Sequence, residues 1–559
     1  MTRTLRILCL LALVLVGLVA SDAEAAETPT DLYASVDALT VYPAPPASGD
    51  TLSLSITAHN GSSRPLRNIQ AAVYLRTEGQ DKLLTEATLP GAPPRAMANT
   101  VVEWAWNTEG LTGPQTLVVN LDPKDQIQQG DENAANNVAQ VTVDLEPPPA
   151  DETGVQWAKA ESVCCTFHYL TRSAAERDLD QLKAEADEAH AFVEQRLGIQ
   201  ATRKMDVYLV PRTIGHGGFA MGYLVLSYHD RHYPNGSFRE VMRHEATHGL
   251  QETWAPGDSI TMMAEGLAVW VTGGHFKPEP VRERAAALLA INQYIPFDQL
   301  VNDFYDKQHE TGYIEAAGFI QYLAETYGQD KLAETFRSLQ RGRGDRDYTV
   351  LDRALNKVFG KGAADMETEY RAWLAATTPD PAQERDLADT VLFFDTVRRY
   401  QAVLDPTAYF RTPWMPDIQA AERRGLVADY MRHPETPVNL ALETMLIDAS
   451  EAQYAADYDS MEAMLGRVTA VLDAHESNPA ADWASLFTDP VAAAYLDAVQ
   501  TAQARGYEAQ RVEVDGDQAA IWATRGPEDL LYRLTARQRA GGWQLLEWVF
   551  RGGLDGETG

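Results

Sequence analysis

Three cysteines in 559 residues exclude a disulfide-built scaffold, and a chain of this length has core enough to fold without one. Cys9 falls in the N-terminal apolar run, so only Cys164 and Cys165 remain beyond it. Adjacent residues of a strand point to opposite faces, so this pair reads as packing residues rather than a redox pair. Basic residues are scarce as well: 47 Lys and Arg against 80 Asp and Glu leave a net charge of -33. That balance excludes a general nucleic-acid binder, which needs clustered cations for phosphate. It also excludes docking on anionic lipid through a basic face. No stretch beyond residue 20 is long and apolar enough to span a bilayer. Internal repeats and long low-complexity tracts are absent too.

What is present is ordinary folded protein. Apolar residues make up 45% of the chain, and its length predicts three or four domains. Arg3 and Arg6 precede an apolar run over 7–20, and Ala23-Glu24-Ala25 then fits a small-residue cleavage site. A cleavable signal peptide over 1–25 is therefore expected, placing the protein outside the cytoplasm, secreted or in the cell envelope, with no membrane insertion after its removal. Cleavage would take away Arg3, Arg6, Asp22 and Glu24, so the charge stays at -33.

Residues 27–146 read as all-β. Strand-length apolar or alternating runs at 52–56, 71–75 and 138–145 are separated by turns such as Asn60-Gly61 and Pro90-Gly91, which predicts a β-sandwich. Pro147-Pro148-Pro149 opens a stiff linker over 147–156. Strand-like segments then mix with long helical ones over 157–376, and helices dominate its second half. Pro379 and Pro381 mark the next boundary, and 382–553 starts helical and ends in four strand-like pieces, an α+β accessory domain.

Histidine is sparse, at 12 residues, which gives weight to any pair at ligand spacing. Ser237 and Glu240 form a capping-box pattern, so a helix should start there. On it His244 and His248 are four apart, a rotation of about 400°, which returns both imidazoles to one face. Glu245 follows the first of them. A catalytic zinc keeps three protein ligands and one open position. Glu265 lies 17 residues after His248, in a second helical segment capped by Asp258 or Ser259 and ended by Gly273-Gly274, and is the preferred third ligand. Asp258 and Glu252 are the alternatives. His216, His229, His232 and His275 read as surface or satisfied loop residues.

His244-Glu-Ala-Thr-His248 followed by Ala264-Glu-Gly-Leu-Ala268 resembles the gluzincins, and 157–376 is similar to their peptidase MA-like branch. The resemblance implies a zincin-like, mostly helical α+β domain holding one Zn2+ per chain and acting on a peptide or protein substrate. It implies peptide-bond hydrolysis by zinc-activated water with Glu245 as general base, and Tyr313 as oxyanion stabiliser. Ala264 departs from the Asn usual before the glutamate in the aminopeptidases. The segment after Phe219-Ala220 also lacks their amine-capturing glutamate, which leaves the stretch from Phe219 to Tyr228 as an edge for peptide pairing. The segment Asp131-Glu-Asn-Ala-Ala-Asn-Asn137 before an alternating strand resembles CARDB-type immunoglobulin-like modules, implying a spacer or adhesion role. The last domain resembles nuclear transport factor 2-like domains, with a generic α+β accessory domain as the alternative. A second reading of the whole is an extracellular binding or adhesion protein that uses an inactive or inhibited gluzincin fold as scaffold.

Overall fold

The computed structural model describes residues 30–551 except 128–129, 151, 235, 410–413, 526–530 and 540–541. The expected signal peptide lies outside the described residues. The chain divides into two units between Pro148 and Pro149.

The first unit is a β-sandwich. One antiparallel sheet joins β1 (Leu32–Tyr33), β2 (Leu39–Tyr42), β3 (Thr51–Asn60) and β6 (Met97–Asn107), with β3 pairing all three others. The other has the order β5-β4-β7-β8, from β4 (Gln70–Thr77), β5 (Gln80–Thr88), β7 (Gly113–Leu121) and β8 (Val138–Leu145). Leu52, Leu54 and Ile56 of one sheet and Ala71, Val73, Leu117 and Val119 of the other share one buried core. Their period of two along each strand puts alternate side chains inside.

The second unit opens with a five-stranded sheet in the order β12-β13-β11-β10-β9. Its strands are β9 (Trp157–Glu161), β10 (Cys165–Leu170), β11 (Met205–Val210), β12 (Gly218–Ala220) and β13 (Leu224–Ser227). The three central strands are parallel; β9 and β12 run antiparallel at the two ends. Sequence alone suggested one edge strand from Phe219 to Tyr228. The chain instead turns back at Gly222, whose φ of 77° suits glycine, so only β12 lies at the edge and β13 is interior. Helix α1 (Leu179–Leu197) ends at Gly198 in the left-handed conformation and packs on α2 (Phe238–Trp254). Behind α2 lie α3 (Thr261–Thr272), α4 (Val281–Ala290) and α5 (His309–Tyr327). Gly266 of α3 lies so close to α5 that a Cβ there would meet the Ala316 carbonyl oxygen at 2.6 Å.

Cys164 and Cys165 are joined by a disulfide and both are buried. Strand alternation does not apply to the pair, because Cys164 precedes β10 and its N–H donates to Asp187 Oδ1 at 2.8 Å.

From residue 381 the chain forms α6 (Pro381–Leu404), α7 (Pro437–Tyr454), α8 (Tyr458–Ser477) and α9 (Pro490–Gln503). An antiparallel meander follows: β14 (Glu508–Asp515), β15 (Gln518–Thr524), β16 (Leu531–Arg539) and β17 (Gly542–Arg551). Among the described residues no helix is long and apolar enough to cross a membrane. Residues after 381 pack on the preceding layer through buried polar groups as well as apolar ones. Phe394 of α6 stacks on Phe276 at 4.0 Å, and Asp405, fully buried, accepts from His216 Nε2 at 3.0 Å and the Tyr233 hydroxyl at 2.8 Å.

Burial raises the Asp405 carboxyl, but its bond to His216 and the nearby Arg212 outweigh this and hold it at about 2, below the ordinary 3.8. Because the folded value is depressed, the stabilisation is present above about pH 4 and lost as pH falls toward 2. Asp405→Asn is expected to cost about 3 kcal/mol at pH 7. It should also remove this part of the acid sensitivity, both read by urea unfolding at pH 3 and pH 7.

Candidate metal centre

The helix carrying the histidine pair starts as its sequence requires. Ser237 is the N-cap and its hydroxyl accepts from the Glu240 N–H. One turn of α2 then separates His244 from His248, and their Nε2 atoms lie 3.2 Å apart. The second helix uses neither Asp258 nor Ser259 as cap: its N-cap is Ile260, and Asp258 instead accepts from the Arg341 N–H. Gly273 closes it in the left-handed conformation. Glu265 sits on the buried α3 and aims Oε2 at the pair, 3.1 Å from His244 Nε2 and 3.3 Å from His248 Nε2. Glu252 and Asp258 are exposed and take no part.

The three donor atoms thus form a triangle with edges of 3.1, 3.2 and 3.3 Å. A tetrahedral ion with ligand distances of about 2.0–2.1 Å has ligand-to-ligand edges of about 3.3–3.4 Å, so the donor set fits zinc in number, type and size. Burial alone would lower His248, but Glu265 and Glu245 outweigh it and bring it up to about 9. Burial likewise raises Glu265, yet the two imidazoles hold it well below the usual carboxylate range. Both shifts arise from the closeness of one carboxylate to two imidazoles.

Glu245 is 5% exposed, and its Oε2 is buried without a hydrogen-bond partner. Burial raises its carboxyl, the two histidines oppose the shift, and Glu265 adds to it. The space around it is set by Gly218 of β12, where a Cβ would meet Glu245 Cγ at 2.9 Å and the Val225 carbonyl oxygen at 3.1 Å.

Tyr313 lies on the first turns of α5, buried, with its ring 6.1 Å from that of His244. Burial, followed by Glu265, Tyr305 and Glu245, pushes its hydroxyl well above the ordinary tyrosine range. Sequence reasoning missed Tyr305, whose hydroxyl donates to Glu265 Oε1 at 2.7 Å and is hydrogen-bonded to Tyr313. The carboxylate is therefore held on both sides, Oε2 toward the histidines and Oε1 by a phenol. His275 was expected at the surface. Its side chain is 7% exposed, stacks on Tyr313 at 4.2 Å and reaches Glu310 Oε2 through Nδ1 at 2.8 Å. Glu310 is in turn bound by Arg284, which also pairs with Asp386 of α6, so a buried charge chain runs from the site wall to the C-terminal region. His216, His229 and His232 belong to a separate cluster.

No protein-family model and no curated protein matches the sequence. Among solved structures the chain is similar to an M1 zinc metallopeptidase from Deinococcus radiodurans, at 14% identity over 63% of this chain and 95% of that one, TM-score 0.28. It is also similar to yeast LTA4 hydrolase, at 12% identity over 85% and 91%, TM-score 0.31. The N-terminal region is similar to a CARDB domain from Pyrococcus furiosus, at 15% identity over 21% and 90%, TM-score 0.17.

Proposed function

We propose that the chain is an exported zinc-dependent peptidase, with 157–376 as its catalytic part, 27–146 as a spacer or adhesion module, and 382–553 as an accessory domain. One observation carries this reading. A closed triangle of two imidazoles and a carboxylate has beside it a buried carboxylate, Glu245, with an unpartnered oxygen. A structural site would need a fourth protein ligand and no base.

Zinc, when bound, supplies a Lewis acid that polarises the scissile carbonyl and makes water more acidic. Glu245 takes a proton at Oε2 as water adds to that carbonyl, then gives it to the leaving amine. Burial favours this by making the protonated form easier to reach. Tyr305 orients Glu265, and Tyr313 donates its hydroxyl to the developing oxyanion. As the end strand of its sheet, β12 offers backbone groups on which an extended peptide can pair beside Glu245.

The reading is tested by chelating the protein, assaying it on a mixed peptide library, and restoring zinc. Activity should vanish and return; activity that survives complete metal removal would overturn it. Tyr305→Phe removes the bond to Glu265 and is expected to weaken zinc binding by roughly 10–100-fold, measured by competition with a chromogenic chelator. Gly218→Ala should displace the Glu245 carboxylate and lower kcat/KM by on the order of 100-fold, with zinc content unchanged in the same preparation.

A further inference from the structure

We propose, resting on the reading of Tyr313 as oxyanion donor, that the region after residue 381 completes the catalytic apparatus. Asp386 and Phe394 of α6, acting through Arg284, Glu310 and His275, are positioning residues that fix the ring of Tyr313.

Tyr313 needs such support. Its hydroxyl is hydrogen-bonded to Tyr305, which is itself 49% exposed, so that bond is a poor anchor. The ring is held by its faces and edges instead. His275 stacks on it at 4.2 Å with an interplanar angle of 13°, His309 lies 4.5 Å away, and Phe304 meets it edge-on at 5.1 Å. Of the three, His275 is the one parallel to the ring, so its plane sets the tilt of Tyr313.

His275 is in turn fixed at both backbone and ring. It sits in the tight turn after α3, where Gly274 has a φ of 153° and a Cβ would run into the Lys277 carbonyl oxygen. The His275 N–H donates to Glu279 Oε1 at 3.0 Å, and Nδ1 bonds to Glu310 Oε2 at 2.8 Å. Glu310 lies on the first turn of α5, three residues before Tyr313, so the two side chains are neighbours on one helix face. Both carboxylates are held by the fully buried Arg284 of α4. Its Nε pairs with Glu279 at 2.6 Å, and its Nη2 donates to Glu310 at 3.1 Å.

The remaining arm of this guanidinium reaches α6. Nη1 pairs with Asp386, and Nη2 also donates to Thr390 Oγ1 at 3.3 Å. Asp386, Thr390 and Phe394 are spaced four apart and share one face of the helix. Phe394 stacks on Phe276 at 4.0 Å and lies 5.7 Å from His309. Helix α6 thus meets the clamp around Tyr313 twice, by charge through Arg284 and by packing through Phe276 and His309. The other oxygen of Asp386 accepts from Lys277 at 2.7 Å and from Tyr458 of α8 at 3.0 Å. A buried ion network adds little stability over apolar packing of the same volume. Its use here is geometric, because each carboxylate must meet its donor and the whole row then has one arrangement.

Ring and rate are read separately. 3-Fluorotyrosine is placed at position 313 of the zinc-loaded full chain, and its fluorine resonance is recorded in the parent, in Asp386→Asn and in His275→Gln. Both variants are expected to move the resonance by more than its line width, with zinc content at the parental value. On a cleaved peptide, Asp386→Asn should lower kcat by roughly 10- to 100-fold with KM little changed. In a Tyr313→Phe background the same substitution should cost almost nothing further, because the hydroxyl it positions is gone. An unmoved resonance in both variants would overturn the proposal. So would a loss on Asp386→Asn of equal size with and without the Tyr313 hydroxyl, which is what a merely structural role gives. Glutamine at 275 keeps an amide to bond Glu310, so His275→Gln decides the matter if Asp386→Asn fails to fold. A parent that cuts no peptide would defeat the peptidase reading alone, and the fluorine resonance would still decide whether α6 positions the ring.

Discussion

Glu245→Gln is expected to lower peptide hydrolysis by roughly 100- to 10,000-fold, the range a positioned general base contributes, while zinc content stays at the parent value. The substitution keeps the shape of a side chain that is 5% exposed and packed against Gly218, so nothing around it has to move. The amide cannot take the proton, because its nitrogen is already a donor and its oxygen is a weak base. Glu245 lies outside the donor triangle, which closes on Glu265 instead, so the metal site is left whole. The check pairs kcat/KM on one cleaved peptide with zinc counted in the same sample. A variant that cuts at the parental rate would remove Glu245 from the chemistry.

His248→Ala and Glu265→Ala are expected to lose the zinc and, with it, hydrolysis. Each leaves two protein ligands where a catalytic zinc needs three. The loss of affinity should exceed the roughly 10–100-fold that follows from disturbing a ligand's outer partner, as in Tyr305→Phe. Glu265→Ala has a further cost. It takes away the acceptor of the Tyr305 hydroxyl and leaves the two Nε2 atoms facing each other at 3.2 Å without the carboxylate that bridges them. Isothermal titration with zinc after chelation reads these effects. An unchanged zinc affinity in either variant would mean that the ligand set is wrong.

The histidine pair and the acid between them could be read from the sequence because helix geometry is local. Four residues and one capping serine fix which side chains share a face, whatever packs around them. The sandwich was legible for the same reason, since a period of two over strand-length runs requires no knowledge of partners. Glu265 was reached by arguing that a second helix should follow. That helix runs from Thr261 to Thr272, and its cap is Ile260 rather than Asp258 or Ser259. What stayed hidden depends on distant contacts. Tyr305 lies in a short 3-10 helix, Phe304–Asp306, 40 residues from Glu265, and no spacing rule joins them. Burial of His275 depends on Glu310 and Arg284, and that of His216 on Asp405, 189 residues away. Gly218 reads as an ordinary strand glycine until Glu245 is seen against it. The Cys164–Cys165 bond escaped because alternation was applied to a residue lying just before its strand.

The central claim, that the triangle and Glu245 together cut peptide bonds, is tested most directly by digestion of a mixed peptide library. The zinc-loaded chain would be compared with its Glu245→Gln variant and the products identified by mass spectrometry. This account expects products from the parent at defined positions and none above background from the variant, with equal zinc in both. Full zinc in both and no product from either would contradict it, and would leave the chain a binding scaffold that keeps the metal site without its chemistry.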